Sequence, residues 1–304
     1  MKVMVMAGGA VGGYFGSVLA EKHDVMLIAR GEHLDRIRSS GLKVISATSG
    51  NFTSKAITSE SPPQGYEPDL LLYCVKSYLN PSACDLIAPA IGANTTILTL
   101  QNGIGSGDYL NSRFGTDATL LGAAYIEASR PEPGIIEEHG GSCRISLGDQ
   151  SGEITDRASK ANKILTESNI ESRISNDIMS DLWQKMIFIT ALSGMTCITR
   201  AQFEKVLDTP KTREITISVM KETKDTALAL GINLPPDIIQ STMSDFMKHK
   251  SELVSSMYQD LSNKRPLEID AINGAVSKIA KKYRLPTPLN DFISACLSIS
   301  DVQA

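Results

Sequence analysis

Several groups of residues in this sequence have the type and spacing to do chemistry. The first is Ala7, Gly9 and Gly12, with Gly8, Ala10 and Val11 between them. They follow a short apolar run, Val3–Met6, and precede an apolar, helix-compatible run that reaches Glu21. Strand, glycine turn and helix, in that order, seat the pyrophosphate of a dinucleotide at a helix N-terminus. Gly9 lets the backbone approach a phosphate because no Cβ stands in the way, and Gly12 lets the helix pack close to the strand. The first position of G-x-G-x-x-G is Ala7, which fits if the turn keeps φ negative. Alone the motif is weak, since such turns also occur without a nucleotide. The second residue is Arg30, 18 residues past Gly12 at the end of a second strand, Asp24–Ala29. An acidic residue near this point holds the ribose 2′-hydroxyl of NAD, whereas an arginine offers a fork of donors and a fixed charge to a 2′-phosphate. The reading is therefore NADP(H); an exposed loop arginine is the plain alternative.

Lys185 stands at the edge of a long helix expected over Ile178–Cys197, which carries no charge from Met186 to Leu192. Spacing four puts Lys185, Ile189 and Ser193 on one face. A lysine held there is partly desolvated, which lowers its pKa and suits it to give and take protons. A lysine that snorkels from the helix edge to water fits the same pattern. Glu268 and Asp270 lie in or before the first turn of a helix running to about Tyr283. The helix dipole alone favours carboxylates there; the functional reading has Glu268 pointing into an interdomain cleft. Lys76 and Asn102 each follow an apolar strand, and ligands in open α/β sheets bind at the carboxyl ends of strands. Asn102-Gly103 is also a common turn dipeptide.

These residues need a scaffold, and the hydrophobic pattern supplies one. Leu70–Val75 is a continuous apolar run of the kind that forms a parallel strand buried on both faces. Thr96–Leu100 reads as another strand. Glu32–Ser40, Ser82–Ala90 and Ile154–Ser168 read as helices, and Leu42–Ser46 as a strand. Thr48–Gly65, rich in Ser, Thr, Pro and Gly, reads as hairpins and loops. Leu120–Ser129, Gly134–His139 and Ser142–Leu147 are expected as antiparallel strands at a sheet edge, with Ile170–Ser175 a last strand. From Ile178 onward the pattern is almost all helical, with helices at Lys211–Leu230, Pro236–Lys248 and Thr287–Ser300. The fold expected is α/β: an N-terminal doubly wound Rossmann-like sheet over residues 1–172 and an all-α domain over 173–304.

Bulk properties narrow the function. The 304 residues carry a net charge of −4, which gives no electrostatic case for nucleic acid or an anionic membrane. No apolar run approaches the roughly 18 residues of a membrane span. The apolar N-terminal stretch imitates a secretory signal, but four glycines interrupt it and a second strand follows at once. Five widely spaced cysteines without C-x-x-C read as free thiols of a reducing cytoplasm. The four histidines show no ligand spacing, so no catalytic metal is expected.

Taken together, the constellation resembles the ketopantoate reductase (2-dehydropantoate 2-reductase) family. The matching segments are the glycine turn with Gly13-Tyr14-Phe15-Gly16, then Arg30, Val75-Lys76-Ser77, Leu100-Gln101-Asn102-Gly103, Trp183-Gln184-Lys185 and Glu268-Ile269-Asp270-Ala271-Ile272-Asn273-Gly274. The resemblance implies a Rossmann domain and an all-α domain with NADPH and a small 2-oxo acid between them, serving pantothenate biosynthesis. It implies that Lys185 is the general acid and that Glu268 accepts a hydrogen bond from the substrate hydroxyl. Asn102 and Lys76 would line the cofactor–substrate junction, and Ser256 would help hold the substrate carboxylate. The family's asparagines four and eight residues after the lysine are Ile189 and Ser193 here, so the pocket is less polar than the family pattern. Ketopantoate is the first expectation for the substrate, with a bulkier or more apolar 2-oxo acid as the alternative. A non-catalytic NADP(H)-binding sensor is the competing class. Whether the chain forms a homodimer is left open.

Overall fold

In the computed structural model, which describes residues 1–301, the first apolar run forms β1 (Lys2–Met6) and leads straight into α1 (Ala10–Leu19). The alternation continues through β2 (Asp24–Ile28), α2 (Gly31–Ser40), β3 (Lys43–Ser46), β4 (Phe52–Thr53), β5 (Ile57–Ser59) and β6 (Leu70–Tyr73). Then come α3 (Asn80–Ile87), β7 (Thr96–Thr99), α4 (Ser106–Phe114), β8 (Thr119–Tyr125), β9 (Ala128–Ser129) and β10 (Ile135–Glu138). β11 (Arg144–Gly148), α5 (Asp156–Glu167) and β12 (Glu171–Ile174) complete the series. Eight strands form one sheet in the order β12-β11-β8-β7-β6-β1-β2-β5. Every neighbouring pair in it is parallel except β8 with β11. Successive side chains of a strand point to opposite faces. Val3 and Val5 therefore join one core with Phe15 and Leu19, while Met4 and Met6 join the other with Leu71 and Ile87. Both faces are covered, as a doubly wound sheet requires.

The structure departs from the sequence reading in several places. A separate four-stranded sheet, β4-β3-β10-β9, stands beside the main one, with β3 and β10 parallel. The run Leu120–Ser129 is two strands: β8 is buried in the main sheet and parallel to β7, and β9 turns out to pair with β10. Antiparallel pairing is thus confined to β8–β11 and to the flanks of the small sheet. The edge strand β12 is parallel to β11. Helix α4 was hidden by Gly103, Gly105 and Gly107, which lower local helix propensity.

The chain divides into two units: Met1–Gln101 with Ser106–Ile178, and Asn102–Gly105 with the chain from Met179 onward. The division expected at residue 172 falls inside β12, and the first unit runs six residues further, to Ile178. The second unit holds α6 (Ile178–Thr199, apart from its first residue), α7 (Phe203–Asp208), α8 (Pro210–Ala229) and α9 (Ile238–His249). α10 (Ser256–Ser262), α11 (Asn273–Lys282) and α12 (Pro288–Asp301) follow. Of these, the short helices α7 and α10 carry too little periodicity to be read from sequence. Trp183, Phe203 and Phe246 are its large fully buried side chains. The Phe246 ring lies 4.7 Å from those of both Phe188 and Phe203. Buried Asn273 ties the start of α11 to its neighbours. Its Nδ2 donates to the Thr190 carbonyl on α6 at 3.1 Å and to Asn290 Oδ1 on α12 at 2.9 Å.

Candidate active site

In the first unit, α1 starts at Ala10, so Gly12 and Gly13 lie inside its first turn rather than ahead of it. Gly9 is the N-cap, and a Cβ built on it meets nothing within 4 Å. A Cβ on Gly12 would run into the Ala7 carbonyl oxygen and lie 2.9 Å from Val5 Cγ1 and 3.1 Å from Cys74 Cβ. The two glycines therefore differ in purpose: Gly9 leaves space in front of the helix, and Gly12 closes the distance to β1. The first turn of α1 carries no acidic side chain, so the positive end of its dipole is not neutralised by the chain itself. Gly8 N donates to the Ile28 carbonyl at 2.8 Å, which fastens the turn to the end of β2. Two residues later Arg30, exposed, is the N-cap of α2. Ala7, Gly8, Gly9, Ala10, Val11, Gly12 and Arg30 thus lie around the carboxyl ends of β1 and β2, and this cradle fits a dinucleotide with a 2′-phosphate. Lys76 follows β6 at its carboxyl end. The loop that carries it is braced by Gln101, a buried side chain whose Nε2 donates to the Val75 carbonyl at 2.9 Å and to Asn80 Oδ1 at 2.8 Å. Gln101 was part of a motif in the sequence, but nothing local revealed this bracing role.

In the second unit, Lys185 lies on α6, two residues after buried Trp183. Its Nζ donates to Asn102 Oδ1 at 2.8 Å. Asn102 is held there by its own short segment. Gly103 has φ +93°, and Ile104 N donates to the Ala271 carbonyl at 3.0 Å. That contact joins the segment to the turn Ile269–Ala271, which follows Glu268. Glu268 is 5% exposed. Burial pulls the Lys185 ammonium from its usual 10.5 down to about 8, and the Glu268 carboxylate opposes the fall. An ammonium with a pKa this close to neutrality is protonated at pH 7 and gives its proton up readily to an oxyanion. The structure therefore brings Lys185, Asn102 and Glu268 together.

The positions read as substrate contacts divide. Ile189 is buried on the Lys185 face, 9% exposed, and apolar. Ser193 is buried too, and its Oγ accepts a hydrogen bond from Ser255 Oγ at 3.1 Å. Ser255 caps α10 by accepting from Tyr258 N at 3.1 Å, so Ser193 is engaged with a helix cap. Ser256, the first residue of α10, is exposed.

Known proteins resemble the chain over nearly its whole length. The family model described as Ketopantoate reductase PanE/ApbA matches residues 3–152, and the one described as Ketopantoate reductase PanE/ApbA C terminal matches residues 177–300. The chain is 30% identical to the 2-dehydropantoate 2-reductase of Pyrococcus abyssi, over 95% of this chain and 94% of the relative. The crystal structure of 2-dehydropantoate 2-reductase from Geobacter metallireducens superimposes with a TM-score of 0.92 at 26% identity, covering 99% of this chain and 100% of that one. A ternary structure of D-mandelate dehydrogenase with NADH and anilino(oxo)acetate does so with a TM-score of 0.91 at 25% identity, covering 100% and 99%.

Proposed function

Because the chain belongs to the ketopantoate reductase PanE/ApbA family, we propose that it reduces a 2-oxo acid to the 2-hydroxy acid with NADPH, ketopantoate being the first-choice substrate. It is an NADP(H)-dependent oxidoreductase. The observation that carries the reading is the Lys185 ammonium, pulled to about 8 and bonded to Asn102. Bound NADPH supplies a hydride to the ketone carbon. Lys185 Nζ donates its proton to the ketone oxygen as the C=O π bond breaks and negative charge develops there. Asn102 aims the ammonium, and Glu268 keeps it charged and accepts a hydrogen bond from the hydroxyl of the substrate. Ser256 binds the substrate carboxylate. Ala7 to Gly12 cradle the pyrophosphate, Arg30 meets the 2′-phosphate, and Lys76 contacts the cofactor.

A second reading of the substrate is favoured by Ile189. Its buried alkyl group next to Lys185 suits a 2-oxo acid with an apolar side chain better than one with a hydroxyl. D-mandelate dehydrogenase, with anilino(oxo)acetate bound, is a relative of that kind. A sensor without chemistry would suit Ala7 and the replaced polar positions, but the retention of both Lys185 and Glu268 speaks for a reductase.

The test is NADPH oxidation with ketopantoate and with 2-oxo acids that lack the hydroxyl, such as phenylglyoxylate and 2-oxoisovalerate. Turnover with ketopantoate at the highest kcat/KM supports the first reading, and a preference for the others supports the second. Lys185→Ala lowers kcat by about 10²- to 10⁴-fold. No turnover of any 2-oxo acid, with NADPH bound tightly, removes the proposal.

A further inference from the structure

His33, in the first turn of α2, lies outside every role given so far. It is 5% exposed, and both ring nitrogens are engaged. Gly134 N donates to Nδ1 at 2.9 Å, so Nδ1 carries no proton. The ring proton therefore sits on Nε2, which lies 2.8 Å from the Gly8 carbonyl oxygen, an atom that can only accept. The two partners together fix one neutral tautomer. Burial, aided by the charge of Arg130, holds the His33 pKa below its ordinary value, in keeping with a neutral ring.

We propose that His33 is a positioning residue of the nucleotide site, holding the Gly8–Gly9 peptide in the orientation that presents the Gly9 N–H to the cofactor pyrophosphate. The inference rests on the reading of the glycine turn as the pyrophosphate cradle. The peptide bond is planar, and in its trans form the C=O and N–H point in opposite directions. Anchoring the Gly8 oxygen to His33 therefore points the Gly9 N–H to the opposite side. Gly9 is the N-cap of α1, and a Cβ built on it meets nothing within 4 Å, so the ground ahead of the helix is open. The Gly8 N–H is already committed to Ile28, so the His33 bond fixes the second polar group of Gly8 as well. Because His33 stands three residues after Arg30, the same bond sets the distance between the turn and the arginine that meets the 2′-phosphate.

Three variants separate this role from a packing role. In His33→Gln the amide nitrogen takes the place of Nε2 and keeps the bond to Gly8. In His33→Asn the shorter side chain reaches only the Gly134 side. His33→Ala loses both. Binding of NADPH and of adenosine 2′-monophosphate, which has the 2′-phosphate but no pyrophosphate, is measured by calorimetry, with kinetics and melting temperature recorded for each variant. The expected result is a NADPH Kd raised about five- to tenfold in His33→Asn and His33→Ala, the loss of one directed hydrogen bond. His33→Gln stays within about twofold, and 2′-monophosphate affinity and kcat at saturating NADPH stay near wild type throughout. Equal losses for Gln and Asn, equal losses for both ligands, or no loss at all each overturn the proposal. If His33→Ala does not fold, the Gln and Asn pair still decides. A wild-type protein that binds 2′-monophosphate but not NADPH overturns the reading of the turn itself, which differs from a wild type that binds NADPH with variants unchanged.

Discussion

At the scale of single residues, the proposed role of Lys185 makes a prediction about pH. Its folded pKa of about 8 lies below its usual 10.5 because burial disfavours the charged form, while Glu268 partly restores it. Reduction needs the protonated form, so kcat is expected to be flat near neutrality and to fall as pH rises through about 8. Oxidation of the hydroxy acid needs the free amine and rises over the same range. Removing the charge that raises the pKa moves the edge down. In Glu268→Gln the fall begins at lower pH, which a kcat–pH profile reads directly; an edge that stays in place takes Glu268 out of this role. Ile189 is the position proposed to read the substrate side chain. Ile189→Asn restores a polar group on the Lys185 face and is expected to raise kcat/KM for ketopantoate about tenfold relative to 2-oxoisovalerate, the scale of one hydroxyl contact in a pocket. Unchanged relative kcat/KM places the substrate side chain elsewhere.

At the scale of elements, the strand–turn–helix unit depends on how closely α1 lies against β1. Gly12 allows that approach, since any Cβ there meets the Ala7 carbonyl oxygen and Val5 at once. Backbone oxygen and a strand side chain cannot both move aside, so overpacking is not relieved locally. Gly12→Ala is expected to destabilise the protein by about 1–3 kcal/mol, whereas Gly9→Ala is expected to leave stability near wild type and to weaken NADPH binding directly, because its Cβ would enter the space left for the pyrophosphate. Chemical denaturation and calorimetry measure the two effects. Equal effects at the two glycines remove the distinction drawn between them. The small sheet is keyed to the same unit. Buried Glu138 on β10 gathers Ser46 Oγ at 2.6 Å, Thr48 N at 3.0 Å and Gly140 N at 2.6 Å. These hydrogen bonds hold the Glu138 carboxyl below the usual carboxylate range against its burial. Tyr14, on α1, lies 2.9 Å from Ser49 in the same loop.

At the scale of the whole molecule, the four residues Asn102–Gly105 belong to the second unit although both their chain neighbours belong to the first. The partner of Lys185 is therefore delivered by a loop that leaves β7. Gly103 makes this possible twice over. Its φ of +93° is one that L side chains rarely adopt, and a Cβ would collide with the Ala271 carbonyl. Gly103→Ala is expected to lower kcat at least about tenfold by displacing Asn102. Its NADPH Kd should change by less than its kcat, because the residues assigned to the pyrophosphate and the 2′-phosphate are elsewhere in the chain and only Asn102, at the cofactor–substrate junction, is displaced. A normal kcat in this variant would show that Asn102 does not aim the ammonium.

The sequence by itself determined the elements and their inward faces. Leu70–Tyr73 had to be a strand covered on both sides, and a helix without charge from Met186 to Leu192 had to be buried with Lys185 at its margin. Glycine spacing determined that a turn and a helix follow β1. Periodicity carries this information because it records which side chains meet water. Partners distant in the chain leave no such record. Only the tertiary structure decided that Asn102 meets Lys185 across 83 residues, that Ser193 pairs with Ser255, and that β10 runs parallel to β3 in a sheet of its own. Each of those contacts depends on the path of the backbone between its members, and many paths satisfy the same pattern of apolar and polar residues.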